Sequence, residues 1–61
     1  MTYKQALANA VSLSRGKNCI YHVYRTGNRF EVIASSSEGR AKLDIVVGVF
    51  DGIVLAERRI F

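Results

Sequence analysis

Few residues of this chain have the chemistry of a catalytic centre, and their spacing gives none of them an obvious partner. Cys19 is the only cysteine and His22 the only histidine. No serine, cysteine or carboxylate is fixed beside His22 by spacing, and no base is identifiable that would activate the Cys19 thiol. We therefore predict no catalytic residue, with His22 as a half-buried structural residue and Cys19 as a small apolar core residue.

The acidic residues do not form a catalytic group either. Asp51 lies in a turn, Glu38 in a loop, and Asp44 and Glu57 at strand positions with local partners. Two carboxylates that hydrolyse a glycosidic bond must converge in a cleft, and one cysteine with one histidine does not make a zinc site. The sequence predicts a protein that is not an enzyme and that binds no metal and no cofactor.

The stretch YHVYRTGNRFEVI, residues 21–33, surrounds a Gly-Asn turn with basic and aromatic side chains. Guanidinium groups bind phosphate bidentately, and tyrosine rings stack on unpaired bases. A nucleic-acid interface is therefore predicted, on DNA or RNA, at this turn and the preceding helix end. Its residues are Arg15, Lys17, Tyr24, Arg25 and Arg29. The alternative interpretation is a solvated turn whose arginines keep the protein soluble.

The distribution of charge favours an anionic partner. The net charge is +4, and residues 1–30 contain five basic residues and no acidic one. Residues 31–61 contain four basic and five acidic residues, so the positive excess lies entirely in the first half. Such asymmetry hints at nucleic acid, although no RNP, KH or helix-turn-helix motif is present.

A helix over residues 2–15 must position part of this basic group. Thr2 and Gln5 form a capping-box pattern, and apolar residues recur at helical spacing up to Leu13. Gly16 is placed to end the helix, with Arg15 near its carbonyl end.

Two hairpins follow the helix. From Cys19 the apolar period changes to two, and Gly27-Asn28 predicts a type II′ turn that pairs Val23 with Val32 and His22 with Ile33. The polar segment 35–42 is a loop. Asp51-Gly52 then predicts a second hairpin, in which Val49 faces Val54, Val47 faces Ala56, Gly48 faces Leu55 and Val46 faces Glu57. Further along, Ile45 would face Arg58, Asp44 would pair with Arg59, and Leu43 would face Ile60.

These elements predict an α+β fold over residues 1–61, a single domain with one N-terminal helix packed on a four-stranded antiparallel sheet made of two hairpins. A one-sided sheet should be polar on its reverse face, yet the second hairpin is apolar there, with Phe61 as a further candidate. We predict an interface at Val46, Phe50, Ile53 and Leu55. The alternative is that the helix or the first hairpin covers these residues.

The small core and the apolar hairpin predict a homodimer, and a host or partner protein is the alternative occupant of the same surface. Two functions follow: nucleic-acid binding through the basic hairpin and helix end, or protein interaction or inhibition through the second hairpin. The sequence contains no segment long enough to cross a membrane, and the single thiol suits a reducing compartment, so we predict a cytoplasmic protein.

Overall fold

The computed structural model describes residues 1–39 and 42–57, with residues 56 and 57 described by their backbone only. Its elements, in chain order, are α1 (Tyr3–Ser14), β1 (Ile20–Thr26), β2 (Arg29–Ala34), β3 (Asp44–Phe50) and β4 (Ile53–Glu57). All strand pairs are antiparallel, in the order β2-β1-β3-β4. The predicted α+β fold is confirmed, with β1 and β3 central and β2 and β4 at the edges.

The helix begins and ends where its local sequence predicts, within one residue. Thr2 caps α1: its Oγ1 accepts a hydrogen bond from the Gln5 N–H at 3.2 Å, and its own N–H donates to Gln5 Oε1 at 3.1 Å. This reciprocal pair satisfies two N–H groups that lack partners inside the helix. Arg15 is already extended, and Gly16 follows at a φ of +72°.

The first hairpin, β1 and β2, has the predicted register throughout. Val23 pairs with Val32, His22 with Ile33 and Thr26 with Arg29. Gly27 takes a φ of +61°, while Asp51 is the one described non-glycine residue at positive φ. A positive φ at the first turn residue alone is the backbone of a type II′ turn.

The second hairpin, β3 and β4, follows the prediction only near its turn. Phe50 pairs with Ile53 and Val49 with Val54, as predicted. Val47, however, pairs with Glu57 rather than Ala56, because the register shifts by one residue between Val47 and Val49. The predicted partners of Val46 and Val47 were therefore wrong. At the shift, the single residue Gly48 of β3 lies opposite two residues of β4, which is the arrangement of a β-bulge.

Other predicted pairs of this hairpin involve Arg58, Arg59, Ile60 and Phe61, which lie outside the described residues. Within the described part, Asp44 contacts the first hairpin: its Oδ2 lies 3.2 Å from Arg25 Nη2.

The core lies between α1 and the sheet, and α1 packs mainly against β1, β2 and β3. Its buried residues all have small side chains; they are Ala6, Ala10, Val23, Val47 and Val49. The two alanines let the helix backbone approach the sheet closely. Around them, the rings of Tyr3 and Phe30 meet edge-on, with centroids 5.4 Å apart.

The N-terminus covers the outer edge of β2. The Met1 carbonyl accepts a hydrogen bond from the Phe30 N–H at 2.9 Å, and the Met1 ammonium lies 3.6 Å from Glu31 Oε2. These contacts protect an edge strand that would otherwise expose unpaired backbone groups. Within residues 1–39 and 42–57, no helix has the length and apolar character needed to span a membrane.

Candidate functional site

The sheet face opposite α1, which we call the open face, is the main candidate surface. Val23, Val47 and Val49 point toward α1, so their alternating neighbours point away. No helix or strand among the described residues packs on that side. The apolar and aromatic residues of the open face are Ile20, His22, Tyr24, Ile33, Ile45, Phe50, Ile53 and Leu55.

Three of the four predicted interface residues form an exposed apolar patch on this face. Phe50 is 39% exposed, Ile53 65% and Leu55 40%. The fourth, Val46, is only 3% exposed. Val46 lies in a bulge, because the β1–β3 register moves from Val23–Val47 to Tyr24–Ile45 and leaves it without a partner on β1. It contributes to the floor of the open face rather than to its surface.

A shallow depression lies at the centre of the open face, over Gly48. Its lining includes Ile20, His22, Val46 and Leu55. A Cβ added at Gly48 would lie 3.2 Å from Ile20 Cγ2 and 3.6 Å from Leu55 Cδ1. The side chains of Ile20 and Leu55 therefore close over Gly48 from the neighbouring strands, and the depression has an apolar floor with little room for a side chain at position 48.

The predicted nucleic-acid residues do not form one site. Arg15 packs over Gly52 of the β3–β4 turn, which lies at the end of the sheet where β1 begins. Arg25 and Arg29 flank the β1–β2 turn at the opposite end. Five residues of strand separate Ile20 from Arg25, or roughly 16 Å at about 3.3 Å per residue. Lys17 follows the helix and stays with Arg15, so the five residues divide between two ends.

Of the two arginines at the first turn, Arg25 has an acidic partner. Asp44 forms an ion pair with Arg25, and Glu31 lies opposite Tyr24 in the hairpin, two residues from Arg29. The first 30 residues contain no acid, but the fold places Glu31 and Asp44 from the second half beside them. Asp44 therefore offsets the charge of Arg25, while the Glu31 carboxylate lies 3.6 Å from the Met1 ammonium.

At the other end, the helix terminus and the β3–β4 turn are joined by hydrogen bonds that the sequence did not predict. The Gly52 N–H donates to Ser14 Oγ at 2.8 Å, and the Gly16 N–H donates to Asp51 Oδ1 at 3.1 Å. Ser14 is fully buried and also donates to the Val11 carbonyl at 3.1 Å. A serine on the apolar side of a helix was the one available signal. Asp51 thus has a structural role.

The two residues with potential catalytic chemistry lie at and just before the start of β1. Cys19 is a free, half-buried thiol that precedes β1 and is not a member of the buried core. His22 is half-buried on β1 beside Gly48, as predicted. The part of the chain that the structure describes contains no group of three or more His, Cys, Asp or Glu side chains arranged to hold a metal.

Comparisons of this chain with models of protein families, with curated proteins and with solved structures found no match.

Proposed function

We propose that this chain is a small, non-enzymatic protein-interaction module whose open face associates with a second copy of itself. The observation that carries the proposal is the exposed apolar patch of Phe50, Ile53 and Leu55 on a sheet face that no described helix or strand covers. An antiparallel sheet with one solvated face ordinarily alternates apolar and polar residues. Contiguous apolar exposure instead marks a contact surface.

The small core supports a second copy as the occupant. In the part of the chain that the structure describes, the fully buried residues of the central cluster are all alanines and valines. A 61-residue domain buries only about 60% of its unfolded surface, so its core contributes little stability to spare, and association is one of the ways in which small scaffolds add to it. A second copy is present wherever the chain is synthesised, so association with it can stabilise the fold without any other partner.

Nucleic-acid binding is the second candidate function. It is supported by the exposure of Arg29 beside Tyr24 and by the basic pair Arg15 and Lys17 at the other end of the sheet. We rank it behind protein interaction because these groups are separated and because Asp44 already pairs with Arg25. A cytoplasmic location also stays a prediction, which rests on the single thiol.

Sedimentation equilibrium tests the proposal directly. We expect the unmodified protein to be a dimer at tens of micromolar, and the Phe50→Gln, Ile53→Gln double variant to be a monomer that keeps its circular dichroism spectrum. Leu13→Gln is the matched control, because Leu13 is 47% exposed but lies on α1, away from the open face. It should remain dimeric.

An unmodified protein that sediments as a monomer at that concentration would refute self-association. Phe50→Asp is a harsher version of the same test. If folding and association are coupled, it should give an unfolded chain rather than a monomer.

A further inference from the structure

A second apolar surface lies on the helix side of the sheet, between α1 and β4. The helix is about 10 Å wide and four strands span roughly 15 to 19 Å, so one helix leaves part of this face uncovered. Because α1 packs mainly on β1, β2 and β3, the uncovered strip lies over β4. Val54, which pairs with the buried Val49, is 43% exposed there.

The groove along this strip, which we call the helix-side groove, has an apolar floor and cationic ends. Leu7, Ala8, Val11 and Val54 form the floor. Lys4 and Arg15 line its two ends, and no acidic side chain is among the described residues that line it. Lys4 lies in the first turn of α1 and Arg15 directly follows its last residue. The two cations are therefore roughly 16 Å apart along the helix axis, at about 1.5 Å per residue.

We propose that the helix-side groove binds an amphipathic helix of another protein, with acidic residues placed against Lys4 and Arg15. A helix beside α1 would cover Val54 and the exposed flank of α1 with its apolar stripe, as in other helix-in-groove complexes. Carboxylates about three turns apart on the partner would face the two cations. The groove is wide open to solvent, whereas small-molecule sites enclose most of their ligand, so a protein segment fits it better.

Charge selects an acidic partner over the helix of a second copy. The only charged residue within α1 is Lys4, in the first turn, where the N–H groups already carry partial positive charge. Placing α1 of another copy in the groove would set cation against cation. An acidic helix would instead place carboxylates opposite both cations. A dimer formed through the open face would leave the helix-side groove of each copy accessible.

The test is a titration of the ¹⁵N-labelled full chain with two synthetic amphipathic helical peptides. Both carry the same leucine stripe, and they differ only in having glutamates or lysines on the polar face. We expect the glutamate peptide alone to bind and to shift the amide signals of Leu7, Val11 and Val54. The Lys4→Glu, Arg15→Glu double variant should bind it about tenfold more weakly, since two partly exposed ion pairs become repulsive.

Two matched controls separate the groove from general charge attraction. Lys17→Glu makes the same change of charge as Arg15→Glu but does not line the groove, so it should weaken binding less than Arg15→Glu alone. Val54→Gln should lower the affinity for the glutamate peptide, whereas Ile53→Gln, one residue away on the open face, should leave that affinity unchanged. Because Ile53→Gln instead weakens self-association, failure of this inference and failure of the proposed dimer are distinguishable.

Three results would overturn the inference. The first is equal binding, or no binding, of the two peptides. The second is glutamate-peptide binding that is insensitive to Val54→Gln. The third is a set of nuclear Overhauser contacts, in the free protein, from the Phe61 ring to the methyl groups of Leu7 or Val54, because the chain's own C-terminus would then occupy the groove.

Discussion

The two hairpins have two-residue turns and strands of similar length but different surroundings. The first is covered by α1 on one face, its outer edge is covered by Met1, and Arg25 at its turn pairs with Asp44. The second exposes apolar side chains on both faces of β4: Ile53 and Leu55 on the open face and Val54 toward the helix side. The helix, the first hairpin and β3 enclose the core, whereas β4, at the boundary of the sheet, leaves apolar side chains exposed.

The largest expected effect compares one valine with one isoleucine across this boundary. Val23→Ala removes two methyl groups from a fully buried site on β1, and it should lower the free energy of unfolding by about 2 kcal/mol through lost burial and a residual cavity. Ile53→Ala removes more carbon from a site that is 65% exposed, and the change should stay under about 0.5 kcal/mol. Urea unfolding followed by circular dichroism measures both.

Both variants should be compared at a concentration where the protein is monomeric, because association would add to the apparent stability of the unmodified chain. An Ile53→Ala loss as large as that of Val23→Ala under those conditions would mean that the second hairpin is covered within the monomer. The assignment of Ile53 to an uncovered contact surface would then fail.

A smaller effect is expected at the joint between the helix and the second hairpin. Ser14→Ala removes the acceptor of the Gly52 N–H and should cost about 1 to 2 kcal/mol, because a partly buried donor loses its partner. Ser12→Ala is the control, since Ser12 is exposed on the same helix and should change stability by less than about 0.5 kcal/mol. Amide hydrogen exchange should accelerate at Gly52 in Ser14→Ala alone.

The smallest effect is expected on nucleic-acid binding. Arg25 and Arg29 can contact two phosphates from one end of the sheet, so fluorescence anisotropy with labelled oligonucleotides should give a log–log salt slope of roughly −1.4 to −1.8, depending on strandedness. Weak binding, near or above about 100 micromolar at low salt, is expected. Arg25→Glu with Arg29→Glu should reduce it, and Arg15→Glu with Lys17→Glu provides the matched change at the far end.

A slope of roughly −3 or steeper, with both double variants equally impaired, would show that the two ends act on one nucleic acid. Nucleic-acid binding would then replace protein interaction as the leading function. Tyr24→Ala would refine that outcome, since loss of a stacking ring should weaken single-stranded more than duplex binding.

The sequence by itself determined the elements and the register close to each turn. Thr2 and Gln5 place the start of the helix, Gly16 places its end, and Gly27 and Asp51-Gly52 place the two turns. These features depend on contacts between residues a few positions apart, whose geometry is set by the residue types themselves. The whole first hairpin and the first two pairs of the second could therefore be predicted.

Only the tertiary structure decided the rest, because it depends on residues distant in sequence that share one space. The shift at Gly48 and the burial of Val46 come from packing β3 between two neighbours, which alternation within one strand does not encode. Likewise, the strand order sets Arg15 and Arg25 at opposite ends of the sheet and brings Asp44 to Arg25. The position of α1 across β1 and β2 then leaves β4 exposed, and no local pattern specifies which strands a helix will cover.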